Sequence, residues 1–279
     1  MPSLRKGDDT MGKTHSVLVF DSGLGGLTVL REIERQRPDL KLIYAADDAA
    51  FPYGRLDDKT LVDRVVAVVG RLLETLQPDL AVIACNTAST LALPPLRGRF
   101  SIPFVGTVPA IKPACEQSKT KRVSVLATSG TVKRDYTQAL IREFGEGCTV
   151  TLAGSERLAG LAEATLRGEP ISAGDIEAEI APCFVDDGAR TDTIVLACTH
   201  YPLILERFIE LAPWPVTWID PAEAIARRAS SLLNGHGAAM KHPVEAYFTS
   251  GKEPGEALLR SLAFFGVKPA KSGGLFVPV

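Results

Sequence analysis

No apolar run in this 279-residue chain is long enough to span a bilayer. Excess charge is also missing: 31 Lys and Arg stand against 33 Asp and Glu, a formal net of −2. Near-neutrality gives no reason to expect nucleic acid or an anionic membrane as partner. Residues Met1 to His15 are polar and lack the apolar stretch of a signal peptide. They read as a flexible tail over residues 1–14, with Met11 an alternative start. There is no CxxC and no close Cys/His cluster, so no metal site is expected. Cys85, Cys115, Cys148, Cys183 and Cys198 are odd in number and follow no regular framework. That excludes a disulfide scaffold and points to a reduced, cytoplasmic compartment. Low-complexity segments and short-period repeats are absent.

What is present is a 46% hydrophobic chain, ample for packed cores. Its length allows one large domain or two ordinary ones, and two are favoured. Short apolar runs predict strands at Ser16–Phe20, Leu42–Ala46, Leu80–Ala84, Pro103–Thr107, Arg122–Ala127, Thr149–Ala153, Thr193–Ala197, Val216–Ile219 and Glu245–Thr249. Amphipathic stretches between them predict helices at Leu27–Arg35, Asp57–Leu76, Thr87–Leu96, Val132–Phe144, Gly160–Arg167, Ile176–Val185, Leu203–Leu211 and Ala222–Leu233. Buried strands alternating with helices give an α/β fold with mostly parallel sheets. Right-handed crossovers place the loops after the strands on one edge, where such sheets bind ligands. The prolines at 103, 109 and 113, and Trp214–Pro215, divide the chain. Residues 15–107 plus 216–279 form one expected domain and residues 108–215 the other. The two are pseudo-symmetric, with the active site between them.

Two cysteines sit in near-matching frames. Cys85 closes Leu80–Ala81–Val82–Ile83–Ala84 and precedes Asn86–Thr87; Cys198 closes Ile194–Val195–Leu196–Ala197 and precedes Thr199–His200. An apolar-flanked cysteine is ordinarily a small core hydrophobe, and Cys115, Cys148 and Cys183 take that reading. Cys85 and Cys198 instead follow a strand and open a helix, where the unpaired N–H groups favour a thiolate and a substrate carboxylate. Two thiols facing one carbon acid from opposite sides suit proton removal on one face and delivery on the other. Asp21–Ser22–Gly23–Leu24–Gly25–Gly26 fails as a dinucleotide loop because position 28 is Thr28, and it lacks the Gly-Lys-Ser/Thr of a phosphate loop. Its glycines suit close approach to a small acid, and Asp21 is placed to orient or share a proton with a thiol. A helix cap by Asp21 or Ser22 stays open beside this. Thr128–Ser129–Gly130–Thr131 holds a carboxylate or caps the next helix. His200, two residues after Cys198, is a proton partner near neutral pH.

Val19–Phe20–Asp21–Ser22–Gly23–Leu24–Gly25–Gly26, Phe51–Pro52–Tyr53–Gly54, Ala84–Cys85–Asn86–Thr87–Ala88–Ser89–Thr90 and Cys198–Thr199–His200–Tyr201–Pro202–Leu203 together resemble the glutamate racemase family. The resemblance runs in order from about Val17 to the end of the chain. It implies a cofactor-independent interconversion of L- and D-glutamate that supplies D-glutamate for peptidoglycan. By motif, Cys85 deprotonates D-glutamate with Asp21 assisting, and Cys198 deprotonates L-glutamate with His200 and Glu163 assisting. Glu163 enters through the resemblance alone. Asp21, Ser22, Tyr53, Gly54, Asn86, Thr87, Thr199 and His200 are implied to bind substrate, with Thr128 and Thr131 as further candidates. Thr128–Tyr136 and the final region resemble the enteric-type subgroup, which implies activation by UDP-N-acetylmuramoyl-alanine. A homodimer is admitted.

Three alternatives stay open. One is an aspartate racemase or a related amino-acid racemase. Another is a non-catalytic binder of acidic amino acids or of a partner such as gyrase. The third is a hydrolase with a cysteine nucleophile, although two equivalent thiols suit proton transfer better than acyl transfer.

Overall fold

The computed structural model describes residues 14–235, 237 and 242–270. The expected tail over residues 1–14 lies outside the described residues except for Thr14. The first half runs β1 (Ser16–Asp21), α1 (Leu27–Gln36), β2 (Lys41–Ala46), α2 (Asp58–Leu76), β3 (Leu80–Ile83), α3 (Asn86–Arg99) and β4 (Phe104–Gly106). The second runs α4 (Ile111–Gln117), β5 (Arg122–Thr128), α5 (Ser129–Val132), α6 (Asp135–Phe144), β6 (Thr149–Ser155), α7 (Leu158–Leu166), α8 (Ala173–Ile180), β7 (Thr193–Ala197), α9 (Leu205–Leu211) and β8 (Thr217–Ile219). The chain then returns through α10 (Ala222–Ser231), β9 (Val244–Phe248), α11 (Glu256–Phe264) and β10 (Val267–Pro269). Among the described residues no helix is long and apolar enough to cross a membrane.

Two parallel sheets result, in the orders β10-β9-β2-β1-β3-β4 and β6-β5-β7-β8. The run β2-β1-β3-β4 in the first sheet has the connectivity of the whole second sheet. β3 therefore corresponds to β7, and Cys85 to Cys198. The expected return to the first half at Val216 comes one strand later, because Thr217–Ile219 pairs with β7.

Each sheet is covered on both faces, and the two-residue period of a strand sorts the side chains. Val17, Val19, Leu42, Tyr44, Leu80 and Val82 pack with α1, α10 and α11. The alternate residues Leu18, Phe20, Ile43, Ala45, Ala81 and Ile83 face α2 and α3. In the second sheet Leu126, Ala153, Ile194 and Leu196 face α7, α8 and α9, while Val123, Val125, Ala127, Val195 and Ala197 face α4 and α6. Burial on both faces is why these strands read as unbroken apolar runs.

The helix expected over Val132–Phe144 starts only at Asp135, as α6, after the separate short helix α5. Arg134 takes an extended conformation between them (φ −86°, ψ 141°). Its guanidinium donates to Thr87 O at 2.9 Å, to Thr90 Oγ1 at 3.1 Å and to Asp58 Oδ1 at 3.1 Å, which joins the two halves. Three hydrogen bonds from a buried cation outweigh the helical turn they interrupt. α4, α11 and β10 were not expected. Pro113 sits in the first turn of α4, where the missing N–H costs nothing, and Pro269 closes β10 on a sheet edge.

Candidate active site

The carboxyl ends of both sheets meet at a narrow cavity of about 20 Å³. Cys85 and Ser22 reach it from the first half, and Cys198, Thr199 and His200 from the second. Phe51, Pro52, Tyr53, Gly54, Asn86, Thr87, Thr128 and Ala159 complete its wall. Asp21, Glu163 and Thr131 stand one residue further back.

On the first flank Cys85 lies just before α3, and its thiol donates to Ser22 Oγ at 3.7 Å. Asp21, fully buried at the end of β1, accepts from the Ser22 amide at 2.7 Å and the Gly26 amide at 2.8 Å. The carboxylate thus fixes the turn that carries Ser22. Burial raises the Asp21 pKa above the ordinary carboxylate value, against the opposing charge of His200 and the two amide bonds. Sequence reasoning expected the helix terminus to lower the Cys85 pKa. The Ala88 amide does act in that direction, but burial first and the Asp21 charge second outweigh it, and the thiol is raised.

On the second flank the Cys198 sulfur is 3.8 Å from His200 Nδ1, and His200 Nε2 is 3.1 Å from Glu163 Oε1. The Leu24 amide donates to the same Glu163 oxygen at 2.7 Å. Burial alone would depress the His200 pKa, yet Cys198, Glu163 and Asp21 carry it well above 6.5. Burial likewise opposes the Glu163 charge, but His200, the Leu24 amide and Arg167 bring its pKa below the ordinary value. The Gly25 amide also points at His200 Nε2, at 3.2 Å, and the Phe51 ring covers the imidazole with centroids 5.3 Å apart.

Besides Arg134, two further joints hold the flanks together. Gly23 and Gly25 lie so close to the second half that a Cβ at Gly23 would overlap Glu163 Oε1, and one at Gly25 would overlap the His200 ring. Across the cavity Thr87, Thr128 and Thr131 form a triangle of hydroxyls with sides of 3.0, 3.2 and 2.9 Å. Thr128 also caps α5 through the Thr131 amide at 3.2 Å, so the capping role expected for it is real.

The Tyr53 hydroxyl donates to buried Asp47 at 2.5 Å, and Arg64 holds the same carboxylate at 2.6 and 2.7 Å. Its hydroxyl is committed, so this position offers a ligand its backbone. The Asn86 amide group differs: both of its polar atoms are buried without a partner among the described residues. Buried amides normally find partners, and this one lines the cavity. Sequence reasoning missed Phe51, Arg134 and Arg167 as parts of the site's frame. Only Arg167 left a signal, one helical turn after Glu163.

Residues 21–229 match the Asp/Glu/Hydantoin racemase family. The chain belongs to that family. A glutamate racemase of Sinorhizobium medicae is 54% identical over 93% of this chain and 97% of its own length. One from Brucella anthropi is 52% identical over 90% of this chain and 92% of its own length. Among solved structures, the Escherichia coli glutamate racemase in complex with L-glutamate and the activator UDP-MurNAc-Ala superposes with a TM-score of 0.83 at 42% identity. It covers 91% of this chain and 96% of that one. Membership makes the chain an amino-acid racemase, an isomerase of a family that works without pyridoxal phosphate.

Proposed function

We propose that the chain racemises glutamate by a two-thiol proton transfer at Cα and so supplies D-glutamate for peptidoglycan in the cytoplasm. The observation that carries this is that two thiols from equivalent strand ends, β3 and β7, line one narrow cavity between the sheets.

The α-proton of an amino acid is weakly acidic, so the carbanion needs electrostatic support and a dry site. The Ser22, Asn86, Thr87 and Thr199 side chains and the Tyr53–Gly54 backbone provide donors around the cavity, with Thr128 and Thr131 behind Thr87. Cys198 as thiolate, beside protonated His200, removes the proton of L-glutamate. Cys85 as thiol, beside Asp21, delivers a proton to the opposite face. Turnover exchanges the two protonation states, so the product form is ready for D-glutamate. The closed state favours the thiol at Cys85 and is thus set for the L enantiomer. A cavity of about 20 Å³ admits about one water. We propose that the two halves are domains that part at the glycine and threonine joints to admit a five-carbon acid.

Circular dichroism of L- and D-glutamate, with aspartate as control and no cofactor added, tests this. The expected result is loss of optical activity from either glutamate enantiomer and none from aspartate. Racemisation of aspartate alone would transfer the chain to the aspartate branch.

A second cavity of about 770 Å³ lies against the threonine joint, lined by Gly54, Arg55, Thr128 to Gly130, Lys133 to Tyr136 and Glu156. Its cations suit a diphosphate and the half-exposed Tyr136 ring suits stacking on a base. We propose it as the site for UDP-N-acetylmuramoyl-alanine. An unchanged rate on adding that nucleotide would reject this.

A further inference from the structure

The two oxygens of Glu163 have different partners. Oε1 takes the Leu24 amide and faces His200. Oε2 accepts from Arg167 Nη2 at 2.9 Å. Arg167 lies one turn after Glu163, and its own amide donates to Glu163 O at 3.0 Å and Ala164 O at 3.1 Å at the end of α7. Both the backbone and the side chain of this residue are therefore tied to the turn that presents the carboxylate. Glu163 is nearly buried, whereas the Arg167 side chain is 39% exposed. It lines a surface cavity of about 400 Å³ together with Asp48, Ser250, Lys252, Glu253 and Leu258. The sequence Cys198, His200, Glu163, Arg167 thus runs from the reacting centre to solvent.

A buried carboxylate with one free oxygen can turn about its terminal torsion, which is broad. A guanidinium on that oxygen removes the freedom and adds a charge-assisted bond. We propose that Arg167 is a positioning residue for the Cys198 flank, pinning Glu163 so that its other oxygen stays aimed at His200 Nε2. Among the described residues, the only other cationic partner of Glu163 is His200 itself. Asp21 acts on the pair from inside. Asp48, Lys252 and Glu253 face Arg167 across the surface cavity. On α11, which packs against α7, Glu256 and Arg260 pair with each other at 2.8 Å.

The sign follows. Without the guanidinium, ionised Glu163 is less stable, the imidazolium loses support, and His200 gives up its proton at lower pH. The kinetic part rests on the proposed racemase reading, but the titration does not. The full chain, ¹³C-labelled at its 4 histidines, is titrated by NMR as wild type, Arg167→Met and Arg167→Lys. His200→Asn identifies the resonance. The expected result is a His200 pKa lower by roughly half a unit in Arg167→Met and largely restored in Arg167→Lys, given the solvent screening of this pair. With glutamate, kcat should fall roughly three- to tenfold in Arg167→Met, with less change in KM. If Arg167→Met does not fold, Arg167→Gln, which keeps a donor and loses the charge, replaces it. A His200 titration unmoved by loss of the charge, or failure of lysine to restore it, would overturn the proposal whatever the activity.

Discussion

The Cys85 and Cys198 flanks are built on the same strand order but not with the same chemistry. Beside Cys85 stands a carboxylate held by two backbone amides; the thiol's own burial first and the carboxylate's charge second raise the thiol pKa. Beside Cys198 stands an imidazole whose pKa is raised against its burial, first by the Cys198 contact and then by a second carboxylate, Glu163. The repeated topology sets two sulfurs against one cavity, while the neighbours of each sulfur are not repeated. A symmetric reaction is thus served by an asymmetric frame. The enantiomers have equal free energy in water, so kcat/KM must be equal in the two directions. The asymmetry is confined to kcat and KM taken separately.

Replacing either sulfur breaks the comparison most severely. Cys85→Ala and Cys198→Ala should each lower racemisation by at least about a thousandfold, the upper part of the range for a lost general acid or base. Calorimetry should still detect glutamate binding to both. Activity in one of them above a tenth of wild type would show that the flanks are not partners.

Separating the flanks is the next largest effect. Gly25→Ala places a methyl in the His200 ring and should lower stability by about 2–3 kcal/mol through overpacking. Activity measured below the transition temperature should fall more than the folded fraction does, because the ring must leave Glu163. Denaturant unfolding beside the racemase assay checks both parts.

A smaller test lies at the opposite ends of the same strands. Asp79 precedes β3 and accepts from the Ser16 amide at 2.8 Å; Asp192 precedes β7 and accepts from the Lys119 and Thr120 amides at 2.7 and 2.9 Å. Burial works against the Asp192 charge, but the Ser118 hydroxyl, these amides and Thr193 bring its pKa down to about 2. The folded value is below the unfolded value of about 4. Its contribution is therefore present above about pH 4 and fades as the pH falls toward 2. For this partly buried group near the surface, solvent screening leaves about 1 kcal/mol. Asp192→Asn should lower unfolding free energy by that amount at pH 7, and the gap should narrow from about pH 4 downward and close only below about pH 2.

Most of the parallel α/β fold was legible because strands covered on both faces show as apolar runs, and all nine expected strands are present within a residue or two. What escaped has physical causes. Arg134 breaks a helix for partners 44 to 76 positions away, which no local pattern contains. β10 has only three residues on an edge. At the site, Cys85, Cys198 and His200 stood out because they punctuate strand ends. Glu163 lies in an ordinary amphipathic helix, and only the family resemblance selected it. Phe51 and Arg167 gain their places through contacts across the cleft and along one helical turn.

The central claim is that two sulfurs of opposite protonation address one stereocentre. Deuterium incorporation at Cα during early turnover of L-glutamate in D₂O tests it most directly. The account predicts that D-glutamate carries solvent deuterium from the first turnovers while the remaining L-glutamate keeps its proton. Product that retains the substrate's own hydrogen, or no exchange at all in folded, reduced protein, would contradict it.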